Sequence, residues 1–198
     1  NMYLLGLLVV AMTLVACTNS ALHGNGDVVS ETRTVSEFDA IDADDGASVF
    51  LTIDEGATGD VQLEVVTDSN LMQFLKTSVS GETLRVVPQR RGGVRTSEGF
   101  KVSATIAALS GVEVSNGAHA TITGTSAEVT LTADAGAWIH GEAFEADSAT
   151  VDVNNGAHVT VCVSGSVTGE VDNGAELIVA CGGNVSGVST SNGGKVSS

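Results

Sequence analysis

From residue 110 onward, apolar and polar positions alternate in short runs on either side of a recurring phrase. The phrase reads Asn116-Gly117-Ala118, Ala135-Gly136-Ala137, Asn155-Gly156-Ala157, Asn173-Gly174-Ala175 and Asn192-Gly193-Gly194. Its glycines therefore recur at an almost constant interval, uneven by a residue either way. Before it stand apolar pairs such as Val112 and Val114, Leu131 and Ala133, and Val151 and Val153. After it come Ala118, Ala120 and Ile122, then Ala157, Val159 and Val161. A period of two on both sides predicts two strands joined by a bend. Glycine allows the positive φ such a bend requires, and the Asn before it tolerates the same region. This repetition predicts an all-β fold, a β-solenoid with coils of about 19 residues. Residues one period apart would then be neighbours, about 4.8 Å apart.

The first half is less regular. Val28 to Phe38 alternates loosely, while Ser48–Ile53, Val61–Val66 and Thr83–Val87 read as strands. Asp45-Gly46 and Glu55-Gly56 are turn signals. Leu71, Phe74 and Leu75 fall at helical spacing behind Asp68-Ser69-Asn70, which predicts one short helix capping an open end of the stack.

At the N-terminus, Met2 to Ala16 is apolar, uncharged and short for a membrane span, and matches the apolar core of a signal peptide. It ends in Leu14-Val15-Ala16-Cys17, which resembles the bacterial lipobox. In such signals cleavage precedes the cysteine, which carries the lipid. The division expected is residues 1–16 signal peptide, 17–26 tether and 27–198 β-solenoid domain. The location expected is the cell envelope, at the outer membrane if the host is Gram-negative, with the membrane met through the lipid alone.

The 198 residues carry a net charge of −16. That repels nucleic acid phosphates and removes nucleic acid from the expected partners. Small and β-branched residues dominate and aromatics are 4%, which argues against a helical bundle or a large α/β enzyme. Arg85, Arg90, Arg91, Arg95 and Lys101 reverse the potential locally, five of the eight basic residues in all. They form either a contact for an anionic polymer or a solvated loop paired with local carboxylates.

Outward columns follow from the register. Two residues after each phrase glycine stand His119, Trp138, His158, Glu176 and Lys195. Ring-bearing side chains in a row could stack on sugars, so Trp138, His119 and His158, with Arg90, Arg91 and Arg95, are the candidate ligand-binding residues. His119 and His158 would lie about 9.6 Å apart, too far to share one metal ion. No metal site and no cofactor is expected. Motifs for a nucleophile elbow, zinc protease, phosphate loop or dinucleotide fold are absent. The alternatives are a polysaccharide-active β-helix enzyme using Asp134, Asp152 and Asp172 along one face, or a purely structural envelope protein. Cys162 and Cys181 stand one repeat apart, a spacing that fits a bridge between adjacent coils. Counted from their own phrase glycines, however, they differ by one position, which in ideal strands points them to opposite faces. A bridge with a local irregularity and two buried thiols both remain open.

The run Val28-Val29-Ser30-Glu31-Thr32-Arg33-Thr34-Val35-Ser36-Glu37-Phe38-Asp39-Ala40-Ile41 carries a resemblance. So do Phe100-Lys101-Val102-Ser103-Ala104-Thr105-Ile106 and Leu109-Ser110-Gly111-Val112-Glu113-Val114-Ser115-Asn116-Gly117-Ala118. Together they resemble the bacterial auto-transporter adhesin, head GIN domain family, over roughly residues 27–185. The resemblance implies envelope proteins, often lipoproteins, with β-helical folds, and a non-enzymatic role in adhesion or surface-polymer binding. It brings no catalytic residues with it.

Overall fold

The computed structural model describes residues 21–89 and 93–198. Cys17, the signal segment and Arg90 and Arg91 lie outside them. The strands are β1 (Leu22–His23), β2 (Val28–Val35), β3 (Ala40–Ala43), β4 (Ala47–Ile53), β5 (Val61–Asp68), β6 (Leu75–Ser80), β7 (Thr83–Pro88) and β8 (Val94–Arg95). They continue as β9 (Phe100–Ile106), β10 (Gly111–Val114), β11 (His119–Ala133), β12 (Trp138–Val153), β13 (His158–Val171), β14 (Glu176–Ala180), β15 (Asn184–Thr190) and β16 (Lys195–Ser197). β1 and β8 form a separate parallel pair, and the other 14 strands make one sheet.

The turn phrase sets the local structure. Asn116, Ala135, Asn155, Asn173 and Asn192 all have φ between 43° and 50°, and the glycine after each has φ between 71° and 86°. Two successive left-handed residues make the mirror image of the common β-turn, which explains the preference for Asn-Gly. Each turn closes by a backbone bond, as from Ala118 N–H to Ser115 O at 2.9 Å and Ala157 N–H to Asn154 O at 3.0 Å. Asp45-Gly46 is a sixth member of this column, with φ of 52° and 75°. The turns also bond to one another, Gly117 N–H to Ala135 O at 3.1 Å and Gly156 N–H to Asn173 O at 3.1 Å. Inside the bend two walls converge, and Ala118, Ala137, Ala157 and Ala175 are wholly buried there because only a methyl group fits.

The two walls are parallel ladders. β3, β10, β11, β12 and β13 pair in sequence on one side of the turns, while β4, β11, β12, β13, β14 and β16 pair on the other. The uneven phrase spacing has a structural meaning. The β11–β12 pairing slips by one position between Thr121↔His140 and Thr123↔Ala143, and β12–β13 shifts between Gly141 and Glu145. Extra or missing residues are absorbed at these irregularities, well away from the turns.

The architecture corrects the expected fold. One nearly closed, barrel-like sheet wraps the core. It stands in place of the β-solenoid, whose regular coils would have held about 19 residues each. In the first half, β2 pairs antiparallel with β5, β5 with β9 and β6 with β7, which winding in one direction does not generate. β11, β12 and β13 also run unbroken for 15, 16 and 14 residues. The capping helix is absent as well: among the described residues there is no α-helix, and Met72–Phe74 is a single 3₁₀ turn leading into β6. The apolar spacing was real, since Leu71 and Leu75 are buried. It spans one turn with no side-chain cap, too little to nucleate a helix.

Two further features fix the frame. Asp68 is buried and accepts bonds from Gly26 N–H at 2.8 Å, Ser97 N–H at 2.9 Å and the Ser97 hydroxyl. Those bonds, the Ser97 hydroxyl first, hold its carboxyl below the usual range. They tie residues 24–26 and 96–97 to the end of β5. Cys162 and Cys181 form a disulfide with Cα atoms 5.2 Å apart. The parity conflict is resolved by Cys181, which leaves β14 with φ of 68° and so re-aims its side chain.

Substituting Cys162→Ser with Cys181→Ser should lower stability by about 3 kcal/mol, the loop-closure value for a sequence separation of 19, as read from denaturant unfolding. A sharper steric test is Gly169→Ala. Gly169 has φ of 128°, and an added Cβ would sit 1.9 Å from Val151 O. A loss of roughly 3 kcal/mol or more is expected. Gly174→Asn, at φ of 75° with open space around it, should stay within about 1 kcal/mol.

Candidate functional site

The start of each long strand, just beyond the turn, carries the ring-bearing side chains. Ser48, His119, Trp138, His158, Glu176 and Lys195 are successive partners across β4, β11, β12, β13, β14 and β16. Two positions on, pointing to the same face, run Phe50, Thr121, His140, Thr160 and Ile178. Phe50, Trp138 and Ile178 are 40%, 38% and 41% exposed, three large apolar side chains on one outer face.

The structure thus brings together the predicted His119, Trp138 and His158, and it adds His140 and Phe50. His140 was legible by parity, standing two residues beyond Trp138. Phe50 was not, because β4 reaches β11 only through a pairing between segments far apart in sequence. Arg95 belongs to the separate β1–β8 pair, opposite His23, and is no part of this face. Of the other basic residues, Arg85 of β7 pairs with Asp42 at 3.4 Å and Lys101 of β9 with Glu98 at 2.9 Å.

The rings stack on one another. Trp138 and His158 have centroids 4.1 Å apart, Trp138 and His140 5.7 Å, His119 and Trp138 6.5 Å, and His119 and His140 6.1 Å, with interplanar angles of 7° to 18°. A planar group inserted between two rings needs about 7–8 Å, twice a carbon contact distance. No sugar can therefore enter between these rings. The row instead offers ring edges, with their imidazole and indole nitrogens, as hydrogen-bonding groups. Beside it, Ser48, Val49, Phe50, His119, Thr121 and His140 line a hollow of about 300 Å³.

The histidines differ electrostatically. His158 Nδ1 lies 3.3 Å from Glu176, and His140 Nδ1 lies 3.9 Å from Glu142. His119 has no carboxylate partner among the described residues. Partial burial, then the neighbouring His140, lowers its pKa from the usual 6.5. Among the described residues, no three His, Cys, Asp or Glu side chains group to hold a metal ion.

The acidic residues considered for catalysis are engaged elsewhere. Asp134 accepts from Asn155 at 2.6 Å, Asp172 from Ser191 at 2.5 Å, and Asp152 from Asn154. Asp134 and Asp172 are first residues of stacked turns, and the Ser191 hydroxyl holds the Asp172 carboxyl below its usual range. They brace the turn column and do not converge on one point.

The family model described as "Putative auto-transporter adhesin, head GIN domain" matches residues 37–130 and 94–183, and the chain belongs to that family. By that description the family is adhesin-like and of the cell surface or envelope. Among solved structures, a "putative adhesin" from Bacteroides fragilis NCTC 9343 is 15% identical, with 89% of this chain and 98% of that chain covered and a TM-score of 0.49. A "putative lipid binding protein" from Parabacteroides distasonis ATCC 8503 is 13% identical, with the same coverages and a TM-score of 0.46. A "putative adhesin" from Parabacteroides merdae ATCC 43184 is 12% identical, again at 89% and 98%, with a TM-score of 0.43. No curated protein matches the chain.

Because the folded pKa of His119 lies below 6.5, the unfolded chain takes up that proton first. The stability tied to the neutral imidazole is complete above pH 6.5 and is lost as pH falls through that value and the lower folded one. His119→Gln should flatten this part of the acid-side decline, as read from Tm between about pH 8 and 5.

Proposed function

We propose that this chain is an exported envelope lipoprotein, anchored through Cys17, whose outer sheet face binds a surface polysaccharide or similar polymer without transforming it. The observation that carries the reading is the continuous exposed row built by His119, Trp138 and His158 with Phe50, His140 and Ile178 beside it. An apolar strip edged by ring nitrogens and hydroxyls suits a ligand with both C–H faces and hydroxyl groups. The strand repeat presents these groups at regular intervals, which suits a polymer whose own units repeat. The disulfide is consistent with an oxidising compartment outside the cytoplasm. Family membership supports adhesion as the biological use. In a Gram-negative host the lipid would place the domain at the outer membrane. Arg90 and Arg91, with Arg95 of β8, are a separate candidate contact for anionic polymer.

The test is retention of residues 18–198 on panels of bacterial and host polysaccharides and matrix proteins, with product release assayed in the same wells. Retention without product is expected. Trp138→Ala should weaken it by at least about tenfold, a typical cost for an anchoring aromatic, with folding checked by circular dichroism. Release of shortened products, or retention unchanged in Trp138→Ala and Phe50→Ser together, would contradict the reading.

A further inference from the structure

The hollow beside the ring row has its own chemistry. Val49, which is buried, and the exposed Phe50 line it, together with Ser48 and Thr121, which carry hydroxyls. The remaining wall is His119 and His140, whose rings lie nearly parallel with centroids 6.1 Å apart. At about 300 Å³ the space is of the size that takes one sugar ring.

The neighbouring His140 opposes protonation of His119. An anion at the edges of both rings offsets this, since a carboxylate accepts hydrogen bonds on both oxygens and favours charged imidazoles. The surrounding charges leave that task to a ligand. β4 contributes no ionisable group to the hollow, and Lys101 of β9, beside Ser48, is held by Glu98. Glu142 is 3.9 Å from His140, Glu176 of β14 is committed to His158, and Lys195 of β16 lies beyond Glu176. His119 alone has no carboxylate among the described residues. A protein of net charge −16 repels anionic polymers in general, so at this face an acidic sugar is favoured where positive charge is created on binding.

We propose that this hollow is a subsite for a pyranose bearing a carboxylate, a uronic acid unit of a polysaccharide, and that His119 and His140 take up protons as it binds. The sugar's C–H face rests on Phe50, its hydroxyls meet Ser48 and Thr121, and its carboxylate accepts from the two imidazolium edges. The inference rests on the polymer-binding reading above and specifies both its ligand class and its pH dependence. The sugar carboxylate, with an ordinary pKa below about 4, stays charged through the range in which the histidines titrate.

The experiment is calorimetric titration of residues 18–198 with oligogalacturonate and with its methyl ester, at pH 7.5 and 5.5, in two buffers of different ionisation enthalpy. Binding of the acid form should tighten by at least about tenfold at the lower pH, with net proton uptake. The ester should bind weakly and equally at both values. His119→Gln and His140→Gln should each reduce the pH dependence while leaving the circular dichroism unchanged. Equal affinity at the two pH values, absence of proton uptake, or an ester that binds as well as the acid would overturn the subsite. If neither oligomer binds while a neutral polysaccharide is retained through Trp138, the subsite fails and the polymer-binding reading stands. If retention of every polymer is indifferent to Trp138→Ala, both fail.

Discussion

Everything distinctive in this molecule depends on a turn that only certain residues can make. Two consecutive left-handed positions recur seven times among the described residues, six of them in the turn column from Asp45-Gly46 to Asn192-Gly193 and one at Cys181-Gly182. Most side chains resist that region, while Asn, Asp and Gly enter it at low cost. Within the column Ala135 is the exception, holding φ of 49° where its neighbours over-determine its backbone, and outside it Cys181 holds φ of 68°. Because each turn bonds to the next, the turns stack in register. The apolar positions beside them then meet inside the bend, where alanine methyls fill the narrow corner.

The functional face is a consequence of the same register. Ring residues stand two and four positions after the turn glycine, before the irregularities at Thr121/Thr123 and Gly141/Glu145. The rows therefore stay aligned where the rings are, and the uneven spacing of the phrases is taken up further along. Stacking at 4.1 to 6.5 Å closes the gaps between rings and turns their edges outward. That geometry changes the chemistry from stacking on sugar faces within the row to hydrogen bonding along it. Only Phe50, at the side, keeps exposed ring surface toward a hollow.

The parts legible in the sequence were those governed by local backbone rules. The recurring glycine phrase, Asn-Gly in four copies and Ala-Gly in one, located five turns, strand parity located the buried residues around them, and the neighbours of Trp138 followed from counting. What was not legible came from non-local pairing. Nothing near Phe50 says that β4 docks on β11, or that Asp44 of the first half receives the side chains of Ser115 and Asn116, at 3.0 and 2.7 Å. The antiparallel strands β2, β5 and β9 break the one-way winding that the second half alone suggests, which is why the expected β-solenoid gave way to a barrel-like sheet. The helix expected at Leu71–Leu75 failed because burial of two leucines can be met as well by a 3₁₀ turn and a strand. Asp134, Asp152 and Asp172 share an outward face by parity, but regular spacing does not tell carboxylates engaged with neighbouring turn side chains from free ones.

Trp138 is the chain's single tryptophan, and it sits in the middle of the ring row. Its fluorescence therefore reports on that face alone. Titrating residues 18–198 with a retained polysaccharide should shift and saturate the emission, with a midpoint matching the retention affinity. Saturable retention with an unchanged tryptophan spectrum would place the ligand elsewhere and contradict the central claim that this face is the binding surface.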